Sequence, residues 1–185
     1  MTTFAAYPGS DGYWRAGSTF DTTGTDFVAG YTGAVFGAFF RWASTGIPQG
    51  CTINSAVMDY TKNAGGGTPD IRIHFEAADN PAFPTSVGDA SGRAVTTAYA
   101  NITTLPSNAR HSTPDLSASL QEVVDRGGFA ADAIQLHWRD NKGTGTNYIQ
   151  GRCIERTGTA DDPYLTVDYT EAAAGTGNLL LLGVG

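Results

Sequence analysis

The sequence predicts an all-β protein: an antiparallel two-sheet jelly-roll sandwich of about eight strands, with one short helix. Three observations lead there. Glycine and proline number 24 and 8 in 185 residues, so many turns must separate short elements. Runs of alternating apolar and polar residues recur with turn signals between them. Only Asp115–Val124 carries an apolar stripe at helical spacing. The length suits one domain, read as a sandwich over 1–170 followed by a small-residue linker and apolar tail over 171–185.

Residues 1–34 are rich in Gly, Thr, Ser and Asp, with Tyr13-Trp14 and Phe27-Val28 as islands of strand character. Asp11-Gly12 is a turn signal. Val35–Ala43 is an aromatic, β-prone run, and Ile47-Pro48-Gln49-Gly50 has turn composition, because proline presets φ and glycine closes the bend. Beyond it Ala56, Met58 and Tyr60 alternate with Val57 and Asp59. Two strands joined by such a turn predict an antiparallel pair around which the chain is organised. Lys62–Asp70 reads as a loop on three glycines, Gly65-Gly66-Gly67. Ile71, Ile73, Phe75 and Ala77 then alternate with Arg72, His74, Glu76 and Ala78, a half-buried strand with a wet face. A loop runs to about Arg93, and Val95–Thr104 is β-branched enough to read as a strand.

The helix has its signals in order: Thr113 to cap it, Pro114 at the first position and Asp115 at the positive end. Leu116, Leu120, Val123 and Val124 form its stripe, and Gly127-Gly128 stops it. Ala133–Arg139 is a strand with Ile134, Leu136 and Trp138 on the core face and His137 on the polar one. Asn141–Asn147 reads as a hairpin loop, Tyr148–Glu155 as the returning strand, and Leu165, Val167 and Tyr169 as the closing strand after Asp161-Asp162-Pro163.

Charge and motifs exclude several functions. A net charge of −7 with no basic stretch argues against nucleic acid as a partner. No run approaches the roughly 18–20 apolar residues of a membrane span. The opening MTTFAAYPGSDGYW has neither a basic region nor an apolar core, so no secretory signal is expected. Cys51 and Cys153 could pair, but two buried free thiols in a protein made in a reducing cytosol is the favoured reading.

GxSxG, Walker, HExxH and Cys/His metal patterns are all missing from the sequence. His74 and His137 are expected as exposed or interface residues, and His111 lies in a loop. Glu76 and Glu155 are a conceivable glycosidase pair, but two glutamates on separate strands define no site. No catalytic residue is assigned and the chain is read as a non-enzyme. Asp11, Asp79, Asn80, Asp161 and Asp162 offer turn oxygens that calcium accepts, in a spacing that matches no defined loop. No cofactor or metal ligand is assigned, with structural calcium the one option. Trp14 and Trp42 are the aromatics least accounted for by core packing, hence possible carbohydrate-stacking residues.

The last segment is of another kind. Glu171–Gly177 is a small-residue linker, and Asn178–Gly185 (NLLLLGVG) is nearly all apolar. Burying one leucine is worth roughly 1.5–3 kcal/mol. Asn178, Leu179, Leu180, Leu181, Leu182 and Val184 are therefore the expected partner-binding residues, destined for a groove or sheet edge of another chain. The other option is an added strand on their own sandwich.

Asp11-Gly12-Tyr13-Trp14, the strand ending in Arg41-Trp42, Ile47-Pro48-Gln49-Gly50 with Ile53 and Ser55-Ala56, IHFEAADN at 73–80, and Pro163–Val167 together resemble jelly-roll modules of the carbohydrate-binding-module type. The resemblance spans about residues 10–170. Such modules are appended to secreted polysaccharide enzymes or stand alone on phage virions, and often hold a structural calcium. The LLLLGVG end is similar to the C-termini of tailed-phage structural proteins. The resemblance implies a capsid decoration (cement) protein, a homotrimer on the virion capsid surface, made in the bacterial host cytoplasm and bound to the major capsid protein. The alternative it implies is a glycan-binding adhesin or tail-fibre module.

Overall fold

A computed structural model describes residues 1–156 and 158–172. Twelve strands are present among them. The first five are β1 (Thr2–Ala6), β2 (Ser10–Arg15), β3 (Thr19–Asp21), β4 (Asp26–Thr32) and β5 (Val35–Trp42). The 15-residue β6 (Thr52–Gly66) is followed by β7 (Ile71–Phe75), β8 (Ala100–Ile102) and β9 (Arg110–Ser112). The last three are β10 (Ile134–Asp140), β11 (Thr146–Arg152) and β12 (Tyr164–Thr170). Two helices, α1 (Val87–Gly92) and α2 (Ser117–Val124), lie among them. The all-β class stands. The strands beyond those expected are β1 and the three-residue β3 and β9.

Every pairing is antiparallel, in the order β1-β12-β6-β11-β4-β5-β10-β7-β8, with β2 added to β5 and β3 and with β9 added to β6. The long β6 curls the sheet: its Thr52–Asp59 half pairs with β12 and its Lys62–Gly66 end with β11. Inner faces from both sides meet in one core that includes Phe27, Phe40, Met58, Tyr60, Ile73, Trp138 and Val167. Ala56, Met58 and Tyr60 are buried in the alternation the sequence shows, as are Leu165, Val167 and Tyr169. Helix α2 lays Leu120, Val123 and Val124 on the same core.

Several local expectations fail for identifiable reasons. β5 and β6 do not pair. Their connection is pulled aside instead, by Thr45 and Gly46 amides donating to Asp132 and Ala131 carbonyls and by the Gly50 amide donating to the Val124 carbonyl. Buried Ile47 anchors this crossing in the core. Asn141–Asn147 is no hairpin loop, because β10 joins β5 and β7 whereas β11 joins β4 and β6. The glycine triplet does not end the strand, since β6 runs through Gly66.

The Val95–Thr104 strand shrinks to β8, because the Thr97 and Ala98 amides donate to the Glu122 carboxylate on α2 rather than to a strand. Thr113 does not cap α2. Its hydroxyl accepts from the Met58 amide, while the Asp115 carboxylate accepts from the Ser117 amide. Helix α1 lies where a loop was expected, although Ser86 with Asp89 three residues on is a capping pattern, and the Ser86 hydroxyl does accept the Asp89 amide.

Candidate functional site

Strand β10 is buried on both faces. Ile134, Leu136 and Trp138 enter the main core, and Gln135 and His137 are each 0% exposed on the opposite face. That second face is covered by the segment between β7 and β8. Its backbone is tied down by the Ala77 amide donating to Ala94 and the Thr96 amide donating to Phe75. Phe39 of β5, with Trp14 and Ala90, forms a small second apolar cluster under α1. Beside it lies a group of polar side chains.

Glu76 is the hub of that group. Its Oε2 accepts from Gln135 Nε2 at 2.7 Å and lies 3.0 Å from His137 Nε2. Its Oε1 accepts from Arg93 Nη1 at 2.9 Å. Arg93 also donates through Nε and Nη2 to both oxygens of Asp89, and its carbonyl accepts from Arg139 Nη2. Burial pushes the Glu76 carboxyl up, but hydrogen bonds from His137 and Arg93 outweigh it and hold the group below its ordinary value. Burial also depresses His137, against the pull of Glu76. Burial thus favours the neutral imidazole, whose Nε2 lies 3.0 Å from both Glu76 Oε2 and Gln135 Nε2, beside a carboxylate that Arg93 also contacts. The Arg93 fork holds Asp89 down at about 2.

A carboxylate–histidine pair is the raw material of acid–base chemistry. Here it is shut away from solvent, and among the described residues no hydroxyl or thiol is hydrogen-bonded to His137. Its demonstrable effect is to pin the covering segment to β10. His137 and His74 are thus not exposed as expected: His74 is 8% exposed and its Nδ1 lies 2.9 Å from the Thr96 carbonyl oxygen. Alternation puts both on a polar face, but that face is roofed. Asp89 and Arg93 have the i,i+4 spacing of an ion pair and Gln135 shares His137's strand face, but no spacing ties either pair to Glu76.

Trp14 and Trp42 are also interior, at 7% and 2% exposure. The Trp14 ring crosses β5 at Gly37, where a Cβ would stand 2.5 Å from it, and Trp42 Nε1 donates to the Ala6 carbonyl. Neither offers a ring face on which a sugar could stack. The most exposed aromatics among the described residues are Tyr7 and Tyr99, the latter beneath the Arg72 guanidinium, 4.6 Å from its ring centre. A surface cleft of about 390 Å³ is lined by residues including Asn101, Thr103, His111 and Ser112.

Among the proposed calcium oxygens, Asp79 pairs with Arg126 at 2.6 Å and Asn80 donates to Asp132. Asp161 lies 3.9 Å from Arg156, and Asp162 is buried beside Arg110. Asp11 stands apart from these, buried next to Cys153 and Glu155. Glu76 and Glu155 belong to separate clusters. Both cysteines are unpaired and buried. The tail residues Asn178, Leu179, Leu180, Leu181, Leu182 and Val184 lie outside the described residues. Among the described residues no helix is long and apolar enough to cross a membrane. No protein-family model matches the chain, and a search of curated proteins finds no significant relative.

Proposed function

We propose that this chain is a docking protein of a virion: a phage capsid decoration (cement) protein that forms a homotrimer and binds the major capsid protein on the capsid surface. The curled sheet is read as two jelly-roll layers, one of β1, β12, β9 and the first half of β6, the other of the remaining strands with β6 crossing between them. The observation that carries the proposal is the segment Asn178–Gly185, with four consecutive leucines after a linker of small residues. Two features support it. The one carboxylate–histidine pair described is closed to solvent, and β1 has a strand partner on one side only among the described residues. A protein that binds only the assembled lattice stabilises it by mass action, and closed symmetry lets the copies bury their contacts without open-ended growth.

Removing 178–185 tests this. The truncated protein keeps its far-UV circular dichroism and thermal midpoint but no longer decorates purified capsids. Normal occupancy by the truncated protein would overturn the proposal, as would a monomer that never binds capsids.

The cleft beside β8 and β9 favours a second reading, a glycan-binding module, because its volume and its amide, hydroxyl and imidazole lining suit a small saccharide. Calorimetric titration with a glycan panel should then show saturable binding that is lost in Asn101→Ala with His111→Ala. Absence of any response across the panel refutes it.

A further inference from the structure

We propose that Asp11, Cys153 and Glu155 form a binding site for a divalent d-block cation of the zinc class. The site owes nothing to the decoration reading and stands or falls separately.

The three residues come from the two ends of the described chain. Asp11 lies on β2, and Cys153 and Glu155 lie in the turn just after β11. Backbone contacts build the juxtaposition: the Cys153 amide donates to the Thr25 carbonyl at 3.0 Å, and the Ile154 amide donates to Asp11 Oδ2 at 3.1 Å. One ligand atom from each residue then lies within 4.8 Å of the others. Around a tetrahedral cation with bonds of about 2.0–2.3 Å, ligand atoms stand roughly 3.5 Å apart. Exposed Glu155 is the member free to close that gap.

What points to a ligand is the state of Asp11. It is 1% exposed, and its Oδ1 is buried without a hydrogen-bond partner. Asp26, Asp79 and Asp89 each have an arginine nitrogen within 2.7 Å, from Arg152, Arg126 and Arg93. Among the described residues no Lys, Arg or His pairs with Asp11 or Glu155, so two carboxyl groups face each other across a buried thiol with no positive charge. A dication placed among these three groups would supply the positive charge that no neighbouring side chain supplies.

The donor set selects the ion. A thiolate beside two carboxylates suits zinc-like cations, whereas calcium and magnesium take oxygen. Three protein ligands leave a fourth position on the Glu155 side for water. Bound there, the cation ties the turn after β11 to β2.

Cobalt(II) is the spectroscopic probe and zinc(II) the stability probe, both on the full-length protein. One equivalent of cobalt should give a sulfur-to-cobalt charge-transfer band that zinc abolishes. The band should survive Cys51→Ser and vanish in Cys153→Ser and Asp11→Asn. Excess zinc should raise the wild-type thermal midpoint by about 5–10 °C. Glu155→Gln, at an exposed position that leaves folding intact, should weaken cobalt binding at least about tenfold, which keeps the test open if either buried variant fails to fold. Three results would each overturn the site: no charge-transfer band in the folded wild type, a band that persists in Cys153→Ser, or cobalt affinity unchanged in Glu155→Gln. Stabilisation by calcium without any cobalt–sulfur band would also overturn it.

Discussion

The two faces of β10 meet the same demand by opposite chemistry. On one, Ile134, Leu136 and Trp138 pack into a continuous apolar core, with Trp138 edge-on to Phe27 and Tyr60 at 5.3 and 4.9 Å between ring centres. On the other, Gln135 and His137 are equally hidden, but what surrounds them is a carboxylate and an arginine. The first face gains from area removed from water and tolerates small errors of direction. The second depends on each donor finding its acceptor, and buried Gln135 Oε1 and His137 Nδ1 are left without partners. A roof over polar groups is a more exacting structure than a roof over apolar ones.

The sharpest way to separate the faces is to remove one group from each. Trp138→Ala should lower the unfolding free energy by about 3–5 kcal/mol, read from urea denaturation, because the ring is 0% exposed. Glu76→Gln should cost about 1–3 kcal/mol by the same measurement. That is less because Arg93 is 18% exposed and keeps Asp89. A larger loss in Glu76→Gln than in Trp138→Ala would reverse the comparison.

Acid separates the faces next, since only the polar one titrates. Glu76 and His137 both have folded values displaced downward, so each contributes stability that is present above its unfolded value and lost as pH falls. His137 faces Glu76, Arg93 and Arg139, and His74, shifted the same way, faces Arg72 and Arg139. The wild-type urea midpoint should begin to fall below about pH 6.5 as the unfolded imidazoles take up protons that the native ones refuse. A flat profile from pH 7 to 5 would mean that His137 accepts a proton in place. Below about pH 4.5 the gap between wild type and Glu76→Gln should close. The smallest effect belongs to the surface: Arg126→Ala removes the half-exposed pair with Asp79 and should change stability by less than about 1 kcal/mol.

Much of the strand pattern is legible in the sequence. β7, β10 and β12 fall where alternation puts them, β5 where its aromatic β-prone run lies, and α2 where its stripe does, because strand and helix tendency and facing follow from local geometry. Partnership is not local. Ile47-Pro48-Gln49-Gly50 looks like a hairpin turn until the Val124 carbonyl claims the Gly50 amide. His137 looks wet until the segment after β7 covers it. The Asp11 cluster is half visible: Asp11 reads as an oxygen donor and Cys153 as a buried thiol, but nothing in their spacing of more than a hundred residues says that they touch.

The sequence by itself determined the class of the fold, the inward set on each principal strand and the place of the second helix, since period and turn chemistry act over a few residues. Tertiary structure decided which strands are neighbours, which polar faces are roofed and which acids share a site. Those depend on contacts between residues far apart in the chain, whose geometry no local pattern carries.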